Sequence, residues 1–114
     1  MSNERQLPIE VDVHETVRLL NANEPPLLLD CREPFEVEIV SLEGAVTIPM
    51  RQIPERVGEL EQHGSARLIV FCHHGMRSQQ VALWLRSQGF DSAQSLQGGI
   101  DAWAATIDPS MNRY

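Results

Sequence analysis

Apolar residues along this chain fall in short blocks, and the spacing within them switches between that of a strand and that of a helix. Ile9, Val11 and Val13 alternate with Glu10 and Asp12, which predicts a short, half-exposed strand. From about His14 to Ala22 the apolar positions Val17, Leu19 and Leu20 sit at helical spacing, and the breakers of 21–26 end that helix. Leu27, Leu28 and Leu29 form a run apolar on both faces and stopped by Asp30, which suits a buried parallel strand. Pro34 opens a short helical stretch through Glu38, and Ala45 to Ile48 reads as another strand, closed by Pro49. Gln52 to Gln62 follows as a helix with Ile53, Val57 and Leu60 turned inward.

Leu68 to Phe71 is the strongest strand signal, and Cys72 sits at its C-terminal end. A polar segment from His73 to Arg77 follows; Ser78 then reads as the N-cap of a helix with Val81, Ala82, Trp84 and Leu85 on its apolar face. Gly89 stops that helix. A last strand near Ser92 to Leu96 leads to Gly98-Gly99 and a turn or helix from Ile100 to Ala105. The tail 106–114 is expected to be loosely held. Strands alternating with helices predict an α/β fold with a mostly parallel sheet. Ligands in such folds sit beyond the carboxyl ends of the strands, which points to the segments after Asp30 and after Phe71.

The 114 residues fit one domain, with a core at about 9–105, and a 42% hydrophobic share makes a disordered chain a poor reading. A net charge of −7 argues against nucleic acid or an anionic membrane as partner. It also requires any site for an anion to be locally positive. Residues 1–8 lack the apolar core of a signal peptide, and no apolar run approaches the roughly 20 residues of a membrane span, so a cytoplasmic location is expected. Cys31 and Cys72 are too few for a disulfide framework or a cysteine-based zinc site.

Candidate chemistry concentrates in Cys72-His73-His74-Gly75-Met76-Arg77-Ser78. A cysteine between a buried strand and a helix start meets inward-facing backbone N–H groups and the positive end of the helix if the loop curls. Gly75 provides the position that tolerates positive φ. Such a setting lowers a thiol's pKa from about 8.5 by one to several units. Arg77 offers a planar fork suited to an oxyanion such as the sulfonate end of thiosulfate.

This loop matches the C-x-x-G-x-R-S pattern of single-domain rhodaneses. Asp30-Cys31-Arg32-Glu33-Pro34-Phe35-Glu36 resembles that family's D-x-R-E-P-x-E motif. Gly44 to Pro49 is similar to its G-A-x-x-I-P element, and Leu96 to Trp103 to its L-x-G-G-x-x-x-W. The resemblance implies a five-stranded parallel sheet flanked by helices. It implies a thiosulfate-type sulfurtransferase in which Cys72 is the nucleophile and carries sulfur as a persulfide, with no metal or cofactor. His73, His74, Gly75, Met76 and Arg77 would form the substrate-binding loop, and Arg32 would lie near the pocket mouth, contacting substrate or bracing the loop through ion pairs. Partners would be a small sulfur-containing anion and a thiol acceptor, a protein thiol included, or cyanide. Where the family often has histidine, an apolar residue and proline, Ser41, Leu42 and Glu43 stand here, which leaves the rim of the pocket open.

Three other readings compete. A cysteine phosphatase or arsenate reductase uses a similar cradle with five residues between cysteine and arginine; the four here, 73–76, make a ring for a single sulfur atom. A metal site at Cys72, His73 and His74 is disfavoured because adjacent residues rarely point at one ion. A non-catalytic docking or regulatory module would typically have lost the cysteine. Cys31 follows one predicted strand as Cys72 follows another, which sets a redox partnership against a plain buried thiol.

Overall fold

The computed structural model describes residues 6–64 and 66–114. The strands are β1 (Glu10–Val11), β2 (Leu27–Asp30), β3 (Val46–Thr47), β4 (Leu68–Phe71) and β5 (Gln94–Leu96). They form one five-stranded sheet in the order β1-β5-β4-β2-β3 with every pair parallel. The helices are α1 (Val13–Leu20), α2 (Pro34–Ile39), α3 (Ile53–Glu61), α4 (Met76–Ser87) and α5 (Gly99–Thr106), with a 3-10 turn at Met50–Gln52 before α3.

Central strands of a parallel sheet are covered on both faces, which is why β4 is apolar at every position and wholly buried. Leu68 and Val70 join one apolar cluster with Leu29, Ile53, Val81 and Leu85. Ile69 and Phe71 face the other, with Val11, Leu28, Leu96 and Ile100. Each such side chain contributes about 1.5–3 kcal/mol when fully buried.

From β2 the chain moves outward to β3, and from β4 it moves outward the other way to β5. The crevice of a parallel sheet opens at such a reversal, beyond the carboxyl ends of β2 and β4. Asp30 ends the first of these strands and Phe71 the second.

Three features bear on the site or the ends of the chain and differ from the sequence-based expectation. Val13 belongs to α1 because Asp12 caps that helix, its carboxylate accepting the Glu15 N–H at 2.8 Å. Ser78 lies inside α4, whose cap is Gly75. The segment after α5 is held where a loose tail is expected: Ile107 and Met111 pack on the core, and Arg113 pairs with Asp101 at 3.1 Å.

Candidate active site

β4 runs directly into Cys72, and a turn of three residues, 73–75, reverses the chain into α4. The turn closes because Gly75 adopts φ +111°, a left-handed conformation strained for any side chain. The first turn of a helix has N–H groups without intrahelical partners, and here they aim back at the strand end. Gly75 N–H donates to Cys72 Sγ at 3.1 Å and Ser78 N–H at 3.4 Å. Ser78 Oγ lies 3.5 Å from the same sulfur and 2.6 Å from Ser95 Oγ, fixing a polar floor beneath the loop.

Cys31 reaches the sulfur from the neighbouring strand. The β2–β4 ladder continues one residue past its regular end, with Cys31 N–H donating to Phe71 C=O at 3.1 Å. The Cys31 thiol beside it is the largest influence lowering the Cys72 pKa; burial opposes it, and the Ser78 and Gly75 donors add to it. The same contact, reinforced by burial, pushes the Cys31 thiol far above the usual range. One sulfur of the pair ionises and the other keeps its proton.

The loop rests on α5. Ile100 N–H donates to Cys72 C=O at 2.8 Å, and Asp101 N–H to His73 C=O at 3.1 Å. Gly99 has φ +63°, and a Cβ there would stand 2.4 Å from His73 O. The double glycine thus lets one backbone seat directly against another, a role the motif alone does not disclose.

Of the two roles open to Arg32 the structure shows the bracing one, and Arg77 is paired with a carboxylate. Arg32 is fully buried. It forms an ion pair with Asp30 at 2.8 Å and donates to the carbonyls of Glu36 and Val40 and to Tyr114 Oη. Those partners claim its guanidinium, so it braces the segment between β2 and α2 and offers no face to a substrate. Arg77 is half-exposed, and the end of its fork lies bidentate on Glu36, at 2.8 and 2.9 Å. Glu36 also accepts from Tyr114 Oη at 2.8 Å, and Arg77, then Glu33 N–H and Tyr114, hold its carboxyl down at about 2 against the pull of burial.

Of the remaining loop residues, His73 stacks on Tyr114 with ring centroids 3.7 Å apart, and its Nε2 is buried without a hydrogen-bond partner among the described residues. His74 is exposed beside Asp101, and Met76 is exposed at the start of α4. The structure therefore gathers Cys72, Gly75 and Ser78 around one sulfur, adds Cys31, and sets Arg77 and Arg32 in a supporting network. Glu36 closes the acidic motif read in the sequence, so its position was visible although its partner was not. Tyr114 carried no signal.

A rhodanese-like domain model matches residues 12–106. The chain is 43% identical over 91 residues to rhodanese-like/PpiC domain-containing protein 12, chloroplastic, of Arabidopsis thaliana, covering 76% of this chain and 30% of that protein. A sulfurtransferase of Allochromatium vinosum is 34% identical over 95 residues, covering 83% of this chain and 87% of its own. Among solved structures, human single-domain sulfurtransferase TSTD1 superimposes with a TM-score of 0.76 at 23% identity, covering 88% of this chain and 98% of that one, and supports the fold. The chain spans less than a third of the length of several curated relatives, 30% of the first Arabidopsis protein and 27% of adenylyltransferase and sulfurtransferase MOCS3 of the same plant. Among the described residues no helix is long and apolar enough to cross a membrane. The matched span takes in every strand after β1, the Cys72 loop and the helix beneath it, so this chain belongs to the rhodanese-like domain family.

Proposed function

We propose that the chain is a sulfurtransferase in which Cys72 takes sulfane sulfur from thiosulfate or a persulfide donor and passes it to a thiol or to cyanide. The observation that carries this reading is the sulfur at the end of β4, which receives the N–H groups of Gly75 and Ser78 at 3.1 and 3.4 Å. Those donors favour the thiolate, which is the attacking form. The thiolate attacks the outer sulfur of thiosulfate, the S–S bond of the donor breaks, and sulfite leaves with its electron pair. The resulting Cys72 persulfide anion keeps the charge the thiolate had, so the same amides serve both states. An acceptor thiolate or cyanide then attacks the terminal sulfur and returns Cys72 to its starting form. Family relatives named as sulfurtransferases support the assignment.

One observation favours a second reading. Cys72 is 1% exposed, as in a docking module that has no cargo to load. Rapid mixing with thiosulfate separates the two. The catalytic reading expects about one equivalent of sulfite per chain in a burst, thiocyanate on adding cyanide, and neither from Cys72→Ala. A wild type that releases no sulfite is a docking module.

A further inference from the structure

β2 and β4 run in register from Leu27 opposite Leu68 to Asp30 opposite Phe71. The hydrogen bond from Cys31 N–H to Phe71 C=O extends that ladder and sets Cys31 opposite Cys72. Side chains two apart along a strand share a face. Cys31 and Cys72 accordingly lie in the same apolar cluster as Leu29 and Val70, whereas Leu28, Ile69 and Phe71 pack on the opposite face. Neighbouring strands are about 4.8 Å apart, within the roughly 4.4–6.8 Å between Cα atoms that a disulfide spans. Both cysteines are free thiols. A lone buried cysteine is ordinarily a small apolar filler. Cys31 differs because the sulfur beside it is the one that would bear cargo.

We propose that Cys31 is an internal acceptor that discharges the Cys72 persulfide as hydrosulfide, giving the chain a thiol-dependent persulfide-reducing activity. The inference rests on the persulfide reading above. The Cys31 sulfur attacks Cys72 Sγ, the Sγ–S bond of the persulfide breaks, and the Cys31 proton passes to the departing sulfur. Cys72–S–S⁻ and Cys31–SH thus become a Cys31–Cys72 disulfide and HS⁻. The sulfane sulfur is reduced to sulfide while the two cysteine sulfurs are oxidised to the disulfide. Two equivalents of a small external thiol, or one of a dithiol, reduce the disulfide and restore the pair. Geometry selects the inner sulfur: Cys31 lies opposite Cys72 on the neighbouring strand and on the same face of the sheet, and the Gly75 and Ser78 amides approach Sγ from the loop. The charge balance fits as well. While Cys72 is a thiolate Cys31 holds its proton, and once the charge has moved outward to the terminal sulfur that proton is the one the leaving group needs.

The test mixes the full chain with excess thiosulfate in the absence of any other thiol and follows sulfide release and intact mass. Wild type is expected to release about one equivalent of sulfide, end about 2 Da lighter as an intramolecular disulfide, and recover its mass on adding a dithiol. Cys31→Ser and Cys31→Ala are expected to stay about 32 Da heavier and release sulfide only when a thiol is added. Wild type that holds the extra sulfur as long as the Cys31 variants, without sulfide or disulfide, overturns the inference and leaves the sulfurtransferase reading standing. A disulfide found only between two chains also overturns it. A chain that never gains sulfur, in wild type or variant, sinks both. The wild-type arm decides the matter even where a variant folds poorly.

Discussion

A sulfur ionised in a protein interior must find donors to replace the water it gives up, because burial alone raises a thiol's pKa. At Cys72 the Cys31 thiol is the largest of those donors, ahead of Ser78 and Gly75. Valine at position 31 keeps an apolar filler and removes the donor. The pH midpoint for alkylation of Cys72 by iodoacetamide is then expected to rise by about one unit or more, while Cys31→Ser, which keeps a hydroxyl donor, retains most of the lowering. An unmoved midpoint in Cys31→Val would show that the loop amides suffice. Glu36 makes a separate prediction. Its carboxyl is held at about 2 in the folded chain against an ordinary 4.5, so its pairing with Arg77 stabilises the fold above pH 4.5 and is lost as pH falls towards 2. Thermal melts should show wild type losing stability across that window more steeply than Glu36→Gln, which has no proton to take up.

Elements matter here through what they present at their ends. α4 delivers first-turn N–H groups to the sulfur because Gly75 turns left-handed one residue before it, and α5 delivers its own to the carbonyls of Cys72 and His73. The second seat depends on Gly99, where a Cβ would collide with loop backbone. Gly99→Ala should therefore lower stability by about 1–3 kcal/mol and slow sulfite release, whereas Gly89→Ala, with open space around its Cβ, should change stability alone. Thermal melts and burst kinetics check both variants. Much of this scale was legible beforehand. The apolar blocks 27–29 and 68–71 announced buried parallel strands, and a glycine three residues past a strand-end cysteine announced a tight curl. Ser78 was misread as a cap because its residue type suits one; the stronger local fact was the left-handed glycine three residues earlier. For Arg32 the sequence leaves substrate contact and bracing by ion pairs both open, and for Arg77 it points to an oxyanion, because a sequence does not display which carboxylate takes a guanidinium. Asp30 lies two positions from the first and Glu36 forty-one from the second.

At the scale of the whole molecule, a net charge of −7 surrounds a site proposed to take up an anion. Fixed amide dipoles act within a few ångströms, while the surface charge acts at a distance and is screened over about 10 Å at 0.1 M salt. Raising ionic strength from low to physiological values should therefore speed loading by thiosulfate about two- to threefold and leave alkylation by neutral iodoacetamide unchanged. Stopped-flow rates for the two reagents, compared at each salt concentration, check this. The network Arg32–Tyr114–Glu36–Arg77 ties the segment after α5 to the site across the molecule, with Tyr114 stacked on His73. No local pattern near residue 114 could have signalled it, since the contact joins positions 78 apart in the sequence.

Sulfur transfer at this site depends on one electrostatic state, a Cys72 sulfur that is ionised at neutral pH. Thiolate absorbance at 240 nm, titrated for wild type and for Cys72→Ala and subtracted, reads that state directly. The expected difference curve has its midpoint far below the ordinary thiol value of about 8.5, with the full signal present by pH 7. A midpoint at or above the ordinary value would mean that burial outweighs the donors of Cys31, Gly75 and Ser78, and the account would be wrong at its centre.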